Sequence, residues 1–351
     1  MTPATAMSSA RAACPKHMTH GPCGGVQPGG DCEVGGPCSF VTDGGDALMP
    51  LAPVAPRGAI GARSSLNAAA GELLDRLSQG RFVVADLPSP GPLVDAERAL
   101  AATVAGSVDA VLLGDAPWAR LQLPPALRAG LVASEGVRPW PGMNCRDRSR
   151  VALEAELAAL DGTGMPAVHC VTGDHPALGQ RADAPAVFDL DSTQLVTRAA
   201  IQTGLVISAA ESPESPPVAA RAARAASKAA AGADVLFINH CRSVEAVAEF
   251  AAQVRELAPG LRLIACVPLV VSQAGADRLT AFLHGPLPSE LAAPLTAPDP
   301  VAAGIAVCVA HAEALLEIPQ LAGVDLSAPA GPGEAMRVAS ALAETGRALK
   351  G

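Results

Sequence analysis

Short apolar runs that end in polar residues alternate along most of this chain with Ala-rich segments of helical period. The runs fall at 82–85, 110–113, 137–143, 167–171, 205–209, 235–238, 261–267 and 323–326. Runs this short, each bounded by polar or turn residues, predict buried parallel strands. Helical periodicity follows most of them, as at 149–160, 218–231, 244–257, 300–316 and 334–349. Eight strand–helix units over roughly 270 residues predict an α/β fold, a (β/α)8 TIM barrel. An open doubly wound sheet is the alternative. No G-x-G-x-x-G follows the first run and no P-loop occurs, which weakens it.

The first part of the chain breaks this rhythm. Cys14, Cys23, Cys32 and Cys38 fall within a short segment dense in Gly and Pro. So few large apolar residues cannot bury a core, so the segment needs a cross-link to fold, and metal coordination supplies one where thiols stay reduced. The expected division is a Cys-rich metal-binding module at 1–45, a linker and amphipathic helix at 46–80, and the barrel at 81–351. The spacing C-x8-C-x8-C-x5-C lacks the paired C-x2-C knuckles of zinc ribbons, and four thiolates also suit a [4Fe-4S] cluster. Zn2+ and the cluster both stay open, with His17 and His20 as substitute ligands. A flexible tail with reduced thiols is the plain alternative.

Composition narrows the function. The 351 residues are 50% hydrophobic and 17% charged, with 34 Gly, 32 Pro, no Tyr and 2% aromatic residues. The core must be aliphatic, and few rings are available to stack on a flat ligand. A net charge of −9 without a basic run argues against nucleic acid and anionic membrane as partners. No apolar stretch is long enough to span a bilayer, and the N-terminus lacks the apolar core of a secretory signal. A cytoplasmic protein is expected, its thiols reduced or metal-bound. A homo-oligomer is compatible with this composition.

In a barrel of this kind the site forms at the C-terminal strand ends. Those ends carry Asp86, then Asp115 and Arg120, then Asn144 to Arg148, then Thr172 to His175, then Glu211, then Asn239 and His240. A polar rim is normal, so each residue alone reads as solvated. The succession across six ends points to a site.

Three stretches make this specific: Asn-Cys-Arg-Asp-Arg-Ser-Arg-Val-Ala-Leu at 144–153, Thr-Gly-Asp-His-Pro at 172–176 and Pro-Ala-Val-Phe-Asp-Leu-Asp-Ser at 185–192. In order and spacing they resemble methylenetetrahydrofolate reductases, over about residues 82–349. Ala-Ala-Glu-Ser-Pro at 209–213, Lys228, Ala-Gly-Ala-Asp at 231–234 and Asp-Pro-Val-Ala-Ala-Gly-Ile at 299–305 extend the resemblance. Residues 14–38 resemble the small cysteine-containing domain that often accompanies this reductase, here placed before the barrel.

The resemblance implies reduction of 5,10-methylenetetrahydrofolate to 5-methyltetrahydrofolate in one-carbon metabolism and methionine biosynthesis. An acid assists N10 in leaving, and a hydride reaches the methylene carbon. FAD is the family's hydride carrier, with NADH as a direct donor the alternative. Asp86 matches the family's acid, in the pattern acid-x-x-x-Pro with Ser89 in place of a first proline; on its own it also reads as a turn cap. Asp174 matches the acid near flavin and folate and would stabilise an iminium; its local alternative is an Asx-turn before Pro176. Lys228 matches a Lys that approaches the cofactor, and Asn239 a Gln that contacts the pterin. Cys145, Arg146 and Asp147 match the third-strand loop, as a ligand contact or an ion pair. Thr172, Gly173 and His175 flank Asp174, and Asp115, Arg120 and Glu211 complete the candidate binding residues. Gly142 stands where flavin-binding members often carry His, and Ala274 where a Phe packs on folate. The module implies a docking surface for an electron-donating or methyltransferase subunit. The competing reading is a folate-binding accessory barrel without reductase activity. Cys170, Cys241, Cys266 and Cys308 read as small packing residues.

Overall fold

The computed structural model describes residues 11–42, 63–115, 119–283 and 285–351. The expected linker from 46 to 62 lies outside the described residues. Eight strands run as β1 (Phe82–Asp86), β2 (Ala110–Leu113), β3 (Pro139–Asn144), β4 (Ala167–Val171), β5 (Val206–Glu211), β6 (Val235–Ile238), β7 (Arg262–Pro268) and β8 (Leu321–Ser327). Each pairs in parallel with the next, and β8 pairs with β1 from Phe82↔Gly323 to Asp86↔Ser327, so the sheet closes. Closure excludes the open doubly wound alternative. Every predicted run falls on a strand; those at 110–113, 167–171 and 235–238 match residue for residue, and the others differ by one or two residues at one or both ends.

The two faces of each strand part the side chains as a closed barrel requires. Phe82, Val84, Leu112, Trp140, Phe237 and Ile264 fill the interior, whereas Val83, Ala85, Val111 and Met143 pack outward against the helices. Gly323 is inward and small for a reason: a Cβ there would sit 2.0 Å from the Phe82 carbonyl oxygen. The helix Ala68–Ser78 closes the N-terminal end, placing Ala70, Leu73 and Leu77 in the same cluster as the interior residues. Asn67 caps it by accepting from the Ala70 N–H. Among the described residues, no helix is long and apolar enough to cross a membrane.

Residues 11–41 lie over the opposite, C-terminal end of the barrel as a roof. Asp191 anchors them. One oxygen of its carboxylate accepts from the Thr19 N–H at 2.8 Å, from the His20 N–H at 3.3 Å, and lies 3.3 Å from His20 Nδ1. The other accepts from the Gln194 N–H and so starts the helix Ser192–Gln202 with a capping box. Burial alone would push this carboxyl up, but His20 and the backbone donors win and hold it at about 2, against an ordinary 3.8.

A carboxylate depressed by folding contributes stability that is complete above its ordinary range and lost as pH falls through the folded value. Acidification from about pH 4 to about 2 should therefore release the roof before the barrel melts. Limited proteolysis of residues 11–41 across this range reads it out. Asp191→Asn should give the same cleavage at neutral pH, and equal resistance of variant and wild type would contradict the anchoring role.

Candidate functional site

Beneath the roof lies a cavity of about 890 Å3 at the C-terminal ends of β4, β5 and β6. Its barrel wall includes Thr172, Gly173 and Asp174 after β4, Glu211 and Ser212 at the end of β5, and Asn239 and His240 after β6. Lys16, Cys23 to Pro28 and Glu33 supply the wall from the roof, and Asp115 and Phe282 reach it from either side.

Glu211 is the electrostatic centre of this wall. Lys228 Nζ reaches Oε2 at 2.6 Å, Arg221 Nη1 reaches Oε1 at 2.9 Å, and Arg224 Nε stands 3.5 Å from Oε2. All four residues are buried. Burial would raise the Glu211 carboxyl, yet Lys228, Arg224 and Arg221 together hold it at about 2. Burial lowers the Lys228 ammonium to about 8 against the pull of Glu211. Both groups are lowered, the acid by its surrounding cations and the ammonium chiefly by burial, to which Arg224 and Arg221 add. The surplus cationic donors are used on the backbone. Arg221 donates to the Cys23 and Ser215 carbonyls, Arg224 to the His20 carbonyl and Lys228 to the Ala210 carbonyl.

Gly173 adopts φ +86, and a Cβ there would sit 3.0 Å from the Asn144 Cβ and 3.3 Å from that of Arg146. Glycine lets the loop turn against the β3 end and presents Asp174, which is exposed, to the cavity. Thr172 Oγ1 accepts from the Ser192 N–H at 3.1 Å. His175 faces away from the cavity: its N–H donates to Glu33 at 2.8 Å and its ring stacks on Phe188. Asn239 Nδ2 donates to Ser212 Oγ at 2.7 Å.

The third-strand loop is an ion-pair network around Asp115. Arg146 Nη2 lies 3.1 Å and Arg148 Nη1 2.8 Å from its carboxylate, and both arginines also pair with Asp147. Cys145 points into the core, where burial pushes its thiol well up. Arg120 is exposed and does not line the cavity. Asp86 is also off the cavity wall. It faces the barrel interior on β1, accepts from the Gly114 N–H, and burial raises it to about 6 despite Arg128.

Two inward positions escape a reading by strand ends because they lie inside apolar runs. His169, on the cavity floor, has Nδ1 at 2.8 Å from Ser208 Oγ and packs edge-on to Phe237; burial keeps it neutral, near 3. Asp325, on β8, is buried with Cys266 Sγ 3.3 Å from Oδ2. Period-two counting along β4 from the interior Ala167, and along β8 from Gly323, which pairs with the interior Phe82, places both inside. Ala274 does not line the cavity, but Phe282, at the end of the helix Gln273–Phe282, does.

The flavin carried by the resembling family meets little support in these residues. A Cβ at Gly142 would stand 2.9 Å from the Leu113 carbonyl oxygen, so no side chain can project there. Lys228 is committed to Glu211 and the Ala210 carbonyl.

The cysteines fit a metal group better. Cys14, Cys23, Cys32 and Cys38 line a second cavity of about 80 Å3, several times what one water needs. The Lys16 and Met18 N–H groups point at the Cys14 sulfur, and those of Phe40 and Val41 at the Cys38 sulfur, as metal-bound thiolates require. Yet among the described residues no three His, Cys, Asp or Glu side chains are grouped tightly enough for a single ion. Lys16, Cys23, Gly25, Val26 and Glu33 line both cavities, so the cysteine hollow and the barrel cavity share a wall.

No protein-family model matches the chain, and no curated protein matches it. The fold recurs in a protein from Clostridium thermocellum that binds two copies of 5-methyl-5,6,7,8-tetrahydrofolic acid. The two are 11% identical, with 77% of this chain and 97% of that one covered, at a TM-score of 0.56. A 2,3-dimethylmalate lyase of the PEP mutase/isocitrate lyase superfamily is 17% identical over 78% of this chain and 84% of its own, with a TM-score of 0.46. Likeness at these identities establishes the barrel and nothing finer.

Removing the charge of Glu211 leaves Lys228, Arg221 and Arg224 buried without a counter-charge. Glu211→Gln should cost about 3–5 kcal/mol of stability. Urea denaturation checks it, and a loss near zero would mean that the cations find other acceptors.

Proposed function

We propose that the protein reduces the methylene bridge of a C1-folate, 5,10-methylenetetrahydrofolate, to a 5-methyl group in the roofed cavity. The observation that carries this reading is the position of Thr172, Gly173 and Asp174. The stretch that resembles the reductases is itself a wall of the cavity and meets Asn239 and Lys228 there. A volume of about 890 Å3 is in the range that encloses a folate-sized ligand. Phe282 offers that ligand a ring at the cavity edge. The Clostridium thermocellum barrel, which binds 5-methyltetrahydrofolate, is consistent with a folate ligand.

In this reading Asp86 passes a proton to N10 as the carbon–N10 bond breaks, and the bond's electron pair becomes the N10–H bond. The N5 lone pair closes the iminium, whose positive charge Asp174 stabilises. A hydride from a reduced nicotinamide then adds to the carbon. Asn239 offers the pterin an amide. On the four cysteines we place a [4Fe-4S] cluster, which would supply one-electron chemistry at the shared wall and a docking point for a partner subunit.

A second reading keeps the folate and drops the reduction, making the barrel an accessory to a methyltransferase or a separate reductase. The absence of Asp86 from the cavity wall favours it.

Two measurements separate these. With methylenetetrahydrofolate and NADH, Asp174→Asn should slow turnover by about 10²-fold while 5-methyltetrahydrofolate still binds in calorimetry. Folate binding without turnover from any donor would select the accessory reading, and no folate binding would remove both. The protein as isolated should also contain iron and acid-labile sulfide in equal amounts, lost in Cys32→Ser. Zinc without sulfide would overturn the cluster.

A further inference from the structure

The interior of β7, β8 and β1 holds a buried acid that the function so far leaves unused. Asp325 pairs in register with Val84 on one side and Cys266 on the other. Val84 lies in the interior cluster, so Asp325 faces the barrel axis, one pleat below Asp86 on the adjoining strand. It is 1% exposed. Its Oδ2 receives the Cys266 thiol at 3.3 Å, and its Oδ1 is buried with no hydrogen-bond partner. A carboxylate oxygen in that position would hold charge without solvation, which favours the protonated acid.

We infer that Asp325 is a proton store behind Asp86: the two carboxyl groups hold one proton between them, resting on Asp325 while Asp86 is charged. The charged groups around the pair agree. Burial and the neighbouring Asp86 both drive Asp325 well above the carboxylate range. Asp86 itself is raised to about 6 by burial, with Arg128 and the Gly114 N–H pulling the other way. The Arg128 guanidinium is already bound to Glu97 at 2.8 Å, so it does not neutralise the pair. From β7, Cys266 stays a thiol, raised by burial, Asp325, Asp86 and Cys241. Two carboxyls in such a place do not both ionise.

The role of this proton rests on the reductase reading. The Asp325 O–H bond breaks with its electron pair left on Asp325, and the proton moves to Asp86 and on to the departing amine nitrogen. The carbon–nitrogen pair ends as the new N–H bond. The carboxyl pair is then one proton short and regains it from solvent. Asp325 thus acts through Asp86 as a positioning residue.

Infrared spectroscopy of the full protein tests the store without any substrate. A protonated-carboxyl band should be present at neutral pH and vanish in Asp325→Asn. In Asp86→Asn, which leaves Asp325 in place, the band should persist but titrate away at lower pH, by a unit or more. A band missing from wild type, unaffected by Asp325→Asn or unmoved by Asp86→Asn overturns the inference. Should Asp325→Asn fail to fold, Asp86→Asn decides alone. Turnover then tests the role: Asp325→Asn should lower kcat on the order of 10-fold or more with KM unchanged and the pH profile altered. An unaltered kcat and profile would remove the role and leave the reductase reading intact. A band that behaves as expected in a protein with no turnover would sustain the store and remove the reductase reading.

Discussion

One buried carboxylate holds the upper half of this molecule together. Glu211 sits where β5 ends, and Arg221, Arg224 and Lys228 from the following helix gather on it. Without the acid those cations could not stay out of water. With it, their spare N–H groups become rigid donors that fasten the carbonyls of His20 and Cys23. The roof is therefore held by the same charges that make the cavity wall, and the site exists in its roofed form only while the network is intact. A charged network of this kind adds little net stability over apolar packing. What it adds is a defined position for a segment that has almost no core of its own.

The barrel interior divides its chemistry across its width. On one side Trp140, His169 and Ser208 form a neutral hydrogen-bonded group, in which Ser208 Oγ receives the Trp140 indole N–H at 2.9 Å. On the other, Asp86, Asp325 and Cys266 bring acids into equally poor solvation.

Much of this was legible in the residue pattern. Strand positions followed from short apolar runs because a closed parallel barrel buries both faces of each strand, and their spacing followed from the intervening helices. Thr172 to Asp174 were legible as part of the cavity because they follow a predicted strand, and a barrel's site forms at the C-terminal strand ends. Cys145 was not, since a strand-end residue can point either way and only the register tells. Arg146 and Asp147 left an ion pair and a ligand contact equally open, and the arginine's commitment to Asp115 needed coordinates. Asp325 stayed hidden inside Gly-Val-Asp-Leu, where three neighbours outvote one acid. The anchoring of Thr19 and His20 by Asp191, 172 and 171 residues away, has no local signature at all.

That separation has a consequence during synthesis. The roof is synthesised well before its receptors: the Arg224 side chain that holds the His20 carbonyl follows it by 204 residues. At a few to twenty residues per second this is a delay of roughly 10–40 s. For that interval Cys14, Cys23, Cys32 and Cys38 belong to a nascent tail without its docking surface. The four thiols are thus made before the surface against which they will lie.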